Sequence, residues 1–274
     1  MAKSALLKSS VAKKYWMALT GLFLCVFLVG HLAGNLQLIF GDSLQFNQYA
    51  LFMTSNPAVK ILSYLTYFSI VFHSIDGILL AFQNKKSRPV GYAMERQEAN
   101  TNFPARNMAV LGTIILVFIV THMIHFWAPM HFDNKMPLLK TEINVQPGAP
   151  KQEFYLTVAG SYMPVNGVEV RNRTEFFDPN AGVKIGEGYK DLYKLTVDFF
   201  KDPNYGLIYT ILYVLAMATL GFHLYHGFVS AFQSLGMNNR KYNSLIKNFG
   251  RLFSIVVPAL FAIIPLYIHF LLKA

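Results

Sequence analysis

The chain has 274 residues, 54% of them hydrophobic and only 14% charged, with a mean hydropathy of +0.35, which places it among membrane proteins and excludes an ordinary pair of soluble domains. Its one cysteine, Cys25, excludes a disulfide within the chain and any iron–sulfur cluster or CxxC redox centre built from this chain alone. A formal charge of +10 would suit nucleic acid, but the cations gather in short stretches between apolar runs, so no nucleic-acid partner is expected.

Residues 1–14 carry Lys3, Lys8, Lys13 and Lys14 and no acid. The apolar run that follows, Tyr15 to Phe40, exceeds a signal-peptide core and lacks a small-x-small cleavage site, so it is expected to be a retained first transmembrane helix. A loop is expected at 41–57, a second helix at 58–83, a basic loop with Lys85, Lys86, Arg88, Arg96 and Arg106, and a third helix at 107–128. Residues 129–203 differ in kind, holding ten of the fourteen acids beside nine Lys and Arg. Alternating runs such as Glu153 to Val158, with Pro-Gly and Asn-Gly turns, predict short strands, and Lys190 to Phe200 predicts an amphipathic helix. A fourth membrane helix is expected at 205–235, a basic loop at 237–251, and a fifth helix at 252–272. The fold class is thus an all-α transmembrane five-helix bundle, in three parts: helices one to three (1–128), an extramembrane insertion (129–203) and helices four and five (204–274).

The N-terminus, the 84–106 loop and the 237–251 loop carry 4, 5 and 4 basic residues, and the 41–57 loop carries none. Cations accumulate in cytoplasmic loops, so the N-terminus is expected inside and the insertion and C-terminus outside.

Two helices look like copies of two others. Phe72 to Gln83 aligns with Phe222 to Gln233, matching Phe-His, then Gly77 with Gly227, then Ala-Phe-Gln; His73 and His223 coincide. Gly21 to His31 aligns with Gly112 to His122, with Val-Phe in register. His31 lies 16 residues after Tyr15 and His122 lies 16 after Arg106, about 24 Å from the cytoplasmic end at ~1.5 Å per residue. His73 and His223 each lie 10 residues before a glutamine, about 15 Å from that end.

Titratable groups in membrane helices suggest function. A single histidine there usually bonds a neighbouring helix; four on four helices, matched in depth, suit two bis-histidine haems. The outer would be held by His31 and His122, the inner by His73 and His223. Such haems have no open position and serve electron transfer. Gly30, Gly34, Gly77 and Gly227 would let a flat macrocycle approach, or serve plain helix packing. His125 and His226, three residues from proposed ligands and so near the same faces, are the alternative axial ligands. Asp76 and His226 share a repeat position and would hold a haem propionate, form a quinone and proton region, or bond between helices. His131 and His269 are taken as interfacial.

Gly-His-Leu-Ala-Gly-Asn at 30–35, His-Ser-Ile-Asp-Gly at 73–77, Thr-His-Met-Ile-His-Phe-Trp at 121–127 and His-Leu-Tyr-His-Gly-Phe-Val-Ser-Ala-Phe-Gln-Ser-Leu-Gly at 223–236 carry a resemblance. The chain resembles the di-haem, five-helix cytochrome b anchor of succinate dehydrogenase and fumarate reductase (respiratory complex II). It is most similar to the form with a long outer insertion found in Bacteroidetes-like bacteria. The resemblance implies two haem b groups, one on helices one and three and one on helices two and four. It also implies a quinone, menaquinone, in a bacterial cytoplasmic membrane. A flavoprotein with covalent FAD and an iron–sulfur subunit would dock on the cytoplasmic face, and dicarboxylate chemistry would belong to the flavoprotein. Where some members carry a glutamate two residues before the fourth-helix ligand, this chain has Gly221, which puts their proton route in doubt. Competing readings are the cytochrome b subunit of a hydrogenase or formate dehydrogenase, a haem-free proton-coupled transporter, and a haem-free structural anchor.

Overall fold

A computed structural model of the chain describes residues 10–87, 90, 102–145 and 150–273. Lys3, Lys8, Arg88 and Arg96, and the Pro-Gly turn at 147–148, lie outside the described residues. The helical elements before the insertion are α1 (Ser10–Asn35), α2 (Gln37–Phe40), α3 (Ser43–Ser55), α4 (Pro57–Lys86), α5 (Phe103–Arg106), α6 (Met108–His122), a π-helical turn (Met123–Trp127) and α7 (Ala128–Phe132). Six strands follow: β1 (Lys140–Ile143), β2 (Gln152–Leu156), β3 (Tyr162–Pro164), β4 (Glu169–Arg171), β5 (Glu175–Phe177) and β6 (Lys184–Glu187). Then come α8 (Leu192–Lys201), α9 (Gly206–Ser234), α10 (Asn243–Leu266) and a second π-helical turn (Tyr267–Leu271).

Five segments are long and apolar enough to cross a membrane: Val11–Phe40, Pro57–Lys86, Met108–Phe132, Gly206–Ser234 and Asn243–Leu271. Large apolar side chains stand out from them, among them Val26 at 72% exposed, Ile61 at 63% and Ile255 at 65%. Water would not tolerate so much continuous apolar surface, whereas hydrocarbon is its natural solvent. The chain is therefore a multi-pass helical membrane protein.

Two expected loops are helical. Within 41–57, Ser43–Ser55 form α3, whose N-cap Asp42 accepts a hydrogen bond from the Gln45 amide at 2.8 Å. The fifth span begins at Asn243, not 252, and runs straight through Pro258 and Pro265. In both places polar residues masked helix-forming sequence.

The chain divides into two compact units. The first contains residues 1–35, 61–119 and 210–266. In it α10 packs on α1, and α9 approaches α10 closely. A Cβ on Gly221 would stand 3.0 Å from the Ser254 carbonyl oxygen, and one on Gly250 would stand 2.8 Å from the Phe228 ring. These glycines permit the contact.

The second unit contains residues 36–60, 120–209 and 267–274. Its strands form two antiparallel three-stranded sheets, ordered β1-β2-β3 and β4-β5-β6. Bridges at Leu138–Lys190 and Thr157–Gly188 lie outside the named strands, and Phe176, fully buried, stacks on Tyr155 at 4.9 Å. Arg173 and Lys190 donate to the carbonyls of His131 and Met130 at the end of α7, satisfying acceptors that a helix C-terminus leaves open. Burial, and then the neighbouring Arg173, push the Lys190 ammonium below the usual lysine range.

The amphipathic α8 packs on α3 and on both π-helical turns. The contact is keyed by Asn47, which is 1% exposed: its amide donates to Asp191 at 2.8 Å and accepts from the Tyr193 amide at 3.0 Å. Asp191 also caps α8, accepting from the Lys194 amide at 2.9 Å. Asn47→Ala leaves the buried Asp191 and the half-buried Tyr193 amide each short of a bond, so it should destabilise this unit by about 1–3 kcal/mol. Amide hydrogen exchange should then accelerate across residues 192–201; unchanged protection would refute the assigned role.

Candidate functional site

The first unit brings His73 and His223 together: their ring centroids lie 6.2 Å apart with planes inclined by 73°. Each ring rests on a glycine of a neighbouring helix. A Cβ on Gly21 of α1 would stand 3.0 Å from Cε1 of His73, and one on Gly112 of α6 would stand 3.5 Å from Cε1 of His223. Gly21 and Gly112 are equivalent positions of one repeat, and the two histidines are equivalent positions of the other. Here α1 stands to α4 as α6 stands to α9. The glycines that touch the rings are thus Gly21 and Gly112. A Cβ on Gly30 or Gly77 meets nothing within 4 Å, and one on Gly227 meets only Met108 at 3.7 Å.

Hydrogen bonding distinguishes the two rings. His73 Nδ1 lies 3.1 Å from the Met17 carbonyl and 3.4 Å from the Thr20 hydroxyl oxygen. His223 Nδ1 is buried with no hydrogen-bond partner among the described residues. One turn further along the same helices, Asp76 and His226 make no hydrogen bond among the described residues, and the charged neighbours of Asp76 are Lys13 and His73.

Those two rings have the spacing that a haem iron requires. With metal–nitrogen bonds of about 2 Å, two axial imidazoles place their centroids roughly 6 Å apart. Edge-to-face packing of two rings reaches the same distance. His223 Nδ1 and His125 Nδ1 alike lack a partner among the described residues, so that feature belongs to packed imidazoles as well. No group of three or more His, Cys, Asp or Glu among the described residues is arranged to hold a metal ion.

His31 belongs to the first unit. Its Nδ1 lies 3.3 Å from the Asn35 amide nitrogen, and its ring stacks on Phe27 at 5.3 Å and lies 5.7 Å from Phe261. His122 belongs to the second unit, where its ring lies 5.2 Å from Phe126. His125, also in the second unit, enters an aromatic cluster, 4.7 Å from Phe199 and 5.8 Å from Tyr209, with Phe199 stacked on Tyr209 at 4.3 Å. The π-helical turn separates it from His122. The Ala128 amide reaches back to the Met123 carbonyl, an i→i+5 bond, so the turn holds more residues and each successive side chain rotates through a smaller angle than in an α-helix. The expectation that His125 shares the face of His122 misses this turn. Its sequence signal is Pro129, which has no amide to continue the ladder; Pro265 stands just before the other π-helical turn.

His131 stacks on Trp127 at 4.5 Å, and its Nδ1 lies 2.8 Å from the Trp127 carbonyl. His269 Nδ1 lies 2.7 Å from the Phe200 carbonyl. A cavity of about 610 Å³ opens in the second unit beside Lys135, Lys140, Glu153, Tyr155 and Arg173, and no histidine lines it.

No protein-family model matches the chain, and neither a curated protein nor a solved structure matches it. The site is therefore argued from its own residues.

Because His125 acts through its ring and its buried Nδ1 lacks a partner among the described residues, His125→Phe should keep or raise thermal stability. His125→Ala should lower it by about 2–4 kcal/mol. Thermal unfolding in detergent checks this, and a large loss in the Phe variant would contradict the packing role.

Proposed function

We propose that this chain is the di-haem b membrane anchor of a succinate:quinone oxidoreductase, relaying electrons between a cytoplasmic iron–sulfur and flavoprotein pair and a membrane quinone. The observation that carries the proposal is the meeting of His73 and His223 at 6.2 Å, each bedded on a repeat glycine. His73 and His223 hold the inner haem. His31 and His122 hold the outer one, a pair that rests on the sequence repeat and matched depth. The aromatic surroundings of His125 favour His122 as the ligand from α6.

Haem, held by two imidazoles, would supply a one-electron carrier suited to electron transfer. The chain's own residues fix the imidazoles among apolar helices and, among the described residues, offer no third ligand. The N-terminus and basic loops face the cytoplasm of a bacterial cell, where the flavoprotein and iron–sulfur subunits dock, and residues 129–203 lie outside. Menaquinone is the quinone that the resemblance suggests, with Asp76 and His226, one turn from the inner pair in sequence, as the candidate polar residues of its site. The glutamate proton route of some family members is not carried here: the contact of Gly221 with the Ser254 carbonyl leaves no room for a side chain. A transporter is disfavoured because α4, α9 and α10 run unbroken through mid-membrane.

The test is a dithionite-reduced minus oxidised spectrum of protein purified with its partners, with haem counted per chain by pyridine haemochrome. Two b haems per chain are expected, falling to one or none in His73→Ala and His223→Ala and unchanged in His125→Ala. A wild-type protein without haem would overturn the proposal.

A further inference from the structure

We infer that the first helix makes His73 the stronger electron donor of the two inner ligands, through the Met17 carbonyl and Thr20, and that His223 lacks this support, standing further from its own glycine helix, with Leu111 where Thr20 would be. The inference rests on the haem reading above.

A carbonyl oxygen only accepts, so the 3.1 Å contact of His73 Nδ1 with Met17 puts the proton on Nδ1. That leaves the Nε2 lone pair for iron. The Thr20 hydroxyl donates to the Trp16 carbonyl at 2.8 Å, so its lone pairs remain for Nδ1–H, at 3.4 Å. Thr20 is 5% exposed, so no lipid or water competes there. Gly21 makes the approach possible, since a Cβ would stand 3.0 Å from Cε1 and 3.4 Å from Nδ1 of the same ring.

The repeat supplies the comparison. Aligning Gly21 with Gly112 aligns Met17 with Met108 and Thr20 with Leu111. A Cβ on Gly112 would stand 3.5 Å and 3.9 Å from the same two atoms of His223, whose Nδ1 has no partner among the described residues. Leu111 is buried and has no polar group to offer. Equivalent helices thus present one imidazole with a bonded N–H and one without. A ligating histidine whose other N–H is bonded to an acceptor is more basic and better oriented. It favours the ferric state, so it lowers the potential of the haem it binds.

Thr20 and Leu111 are positioning residues, tested by redox titration of the purified haem-loaded complex. In Thr20→Val the inner haem should keep wild-type content while its midpoint potential rises. Thr20→Ser should restore the wild-type potential. Leu111→Thr, which gives His223 the missing hydroxyl, should move the same potential down, and the other haem should stay put in all three. If Thr20→Val fails to assemble, the Leu111→Thr and Thr20→Ser arms still decide. Unmoved potentials, or shifts of the same sign in Thr20→Val and Leu111→Thr, would overturn this inference while leaving the haem reading intact. A wild-type protein without haem would overturn both.

Discussion

Two imidazoles facing each other at 6.2 Å inside apolar helices are the contact on which the first unit depends. Hydrocarbon offers no hydrogen bonds, so every polar group in a membrane helix must find its partner within the protein. His73 finds one in the Met17 carbonyl, and His223 finds none among the described residues. The glycines at 21, 112 and 221 follow from that arrangement and from the packing around it. Two let imidazole rings lie against a neighbouring backbone, and the third lets α9 lie against α10.

The second unit solves a different problem. Its sheets are small, and β-strands of three to five residues stabilise little by themselves. They are tied to helix ends by side-chain donors, Arg173 to His131 and Lys190 to Met130, and α8 is keyed to α3 by the buried Asn47–Asp191 pair. His125, packed against the Phe199–Tyr209 stack, belongs to this packing.

Much of this was legible in the sequence because hydropathy over ~20 residues is a strong signal. The five spans, the strand at 152–156 and the helix at 192–201 all follow from length and periodicity. The polar repeat positions went further, since they put His73 and His223 at one depth before any coordinates. What stayed hidden depends on backbone detail. Nothing local distinguishes Gly21 from the other glycines of α1 as the one that receives His73. The π-helical turn after His122 needs Pro129 to be read as a missing amide, not as a loop signal. Helix α3 and the start of α10 were hidden by Asn, Ser and Lys, which suit an exposed helix as well as a loop.

The central claim is that His73 and His223 ligate one iron from opposite sides. The electron paramagnetic resonance spectrum of the oxidised protein tests it most directly. Two axial imidazoles with planes inclined by 73° should give a low-spin ferric signal of the strongly anisotropic kind. That signal should vanish in His223→Ala. A high-spin ferric signal in the wild-type protein, or survival of that strongly anisotropic component, as distinct from the low-spin signal of the outer haem, after loss of either histidine, would contradict the account.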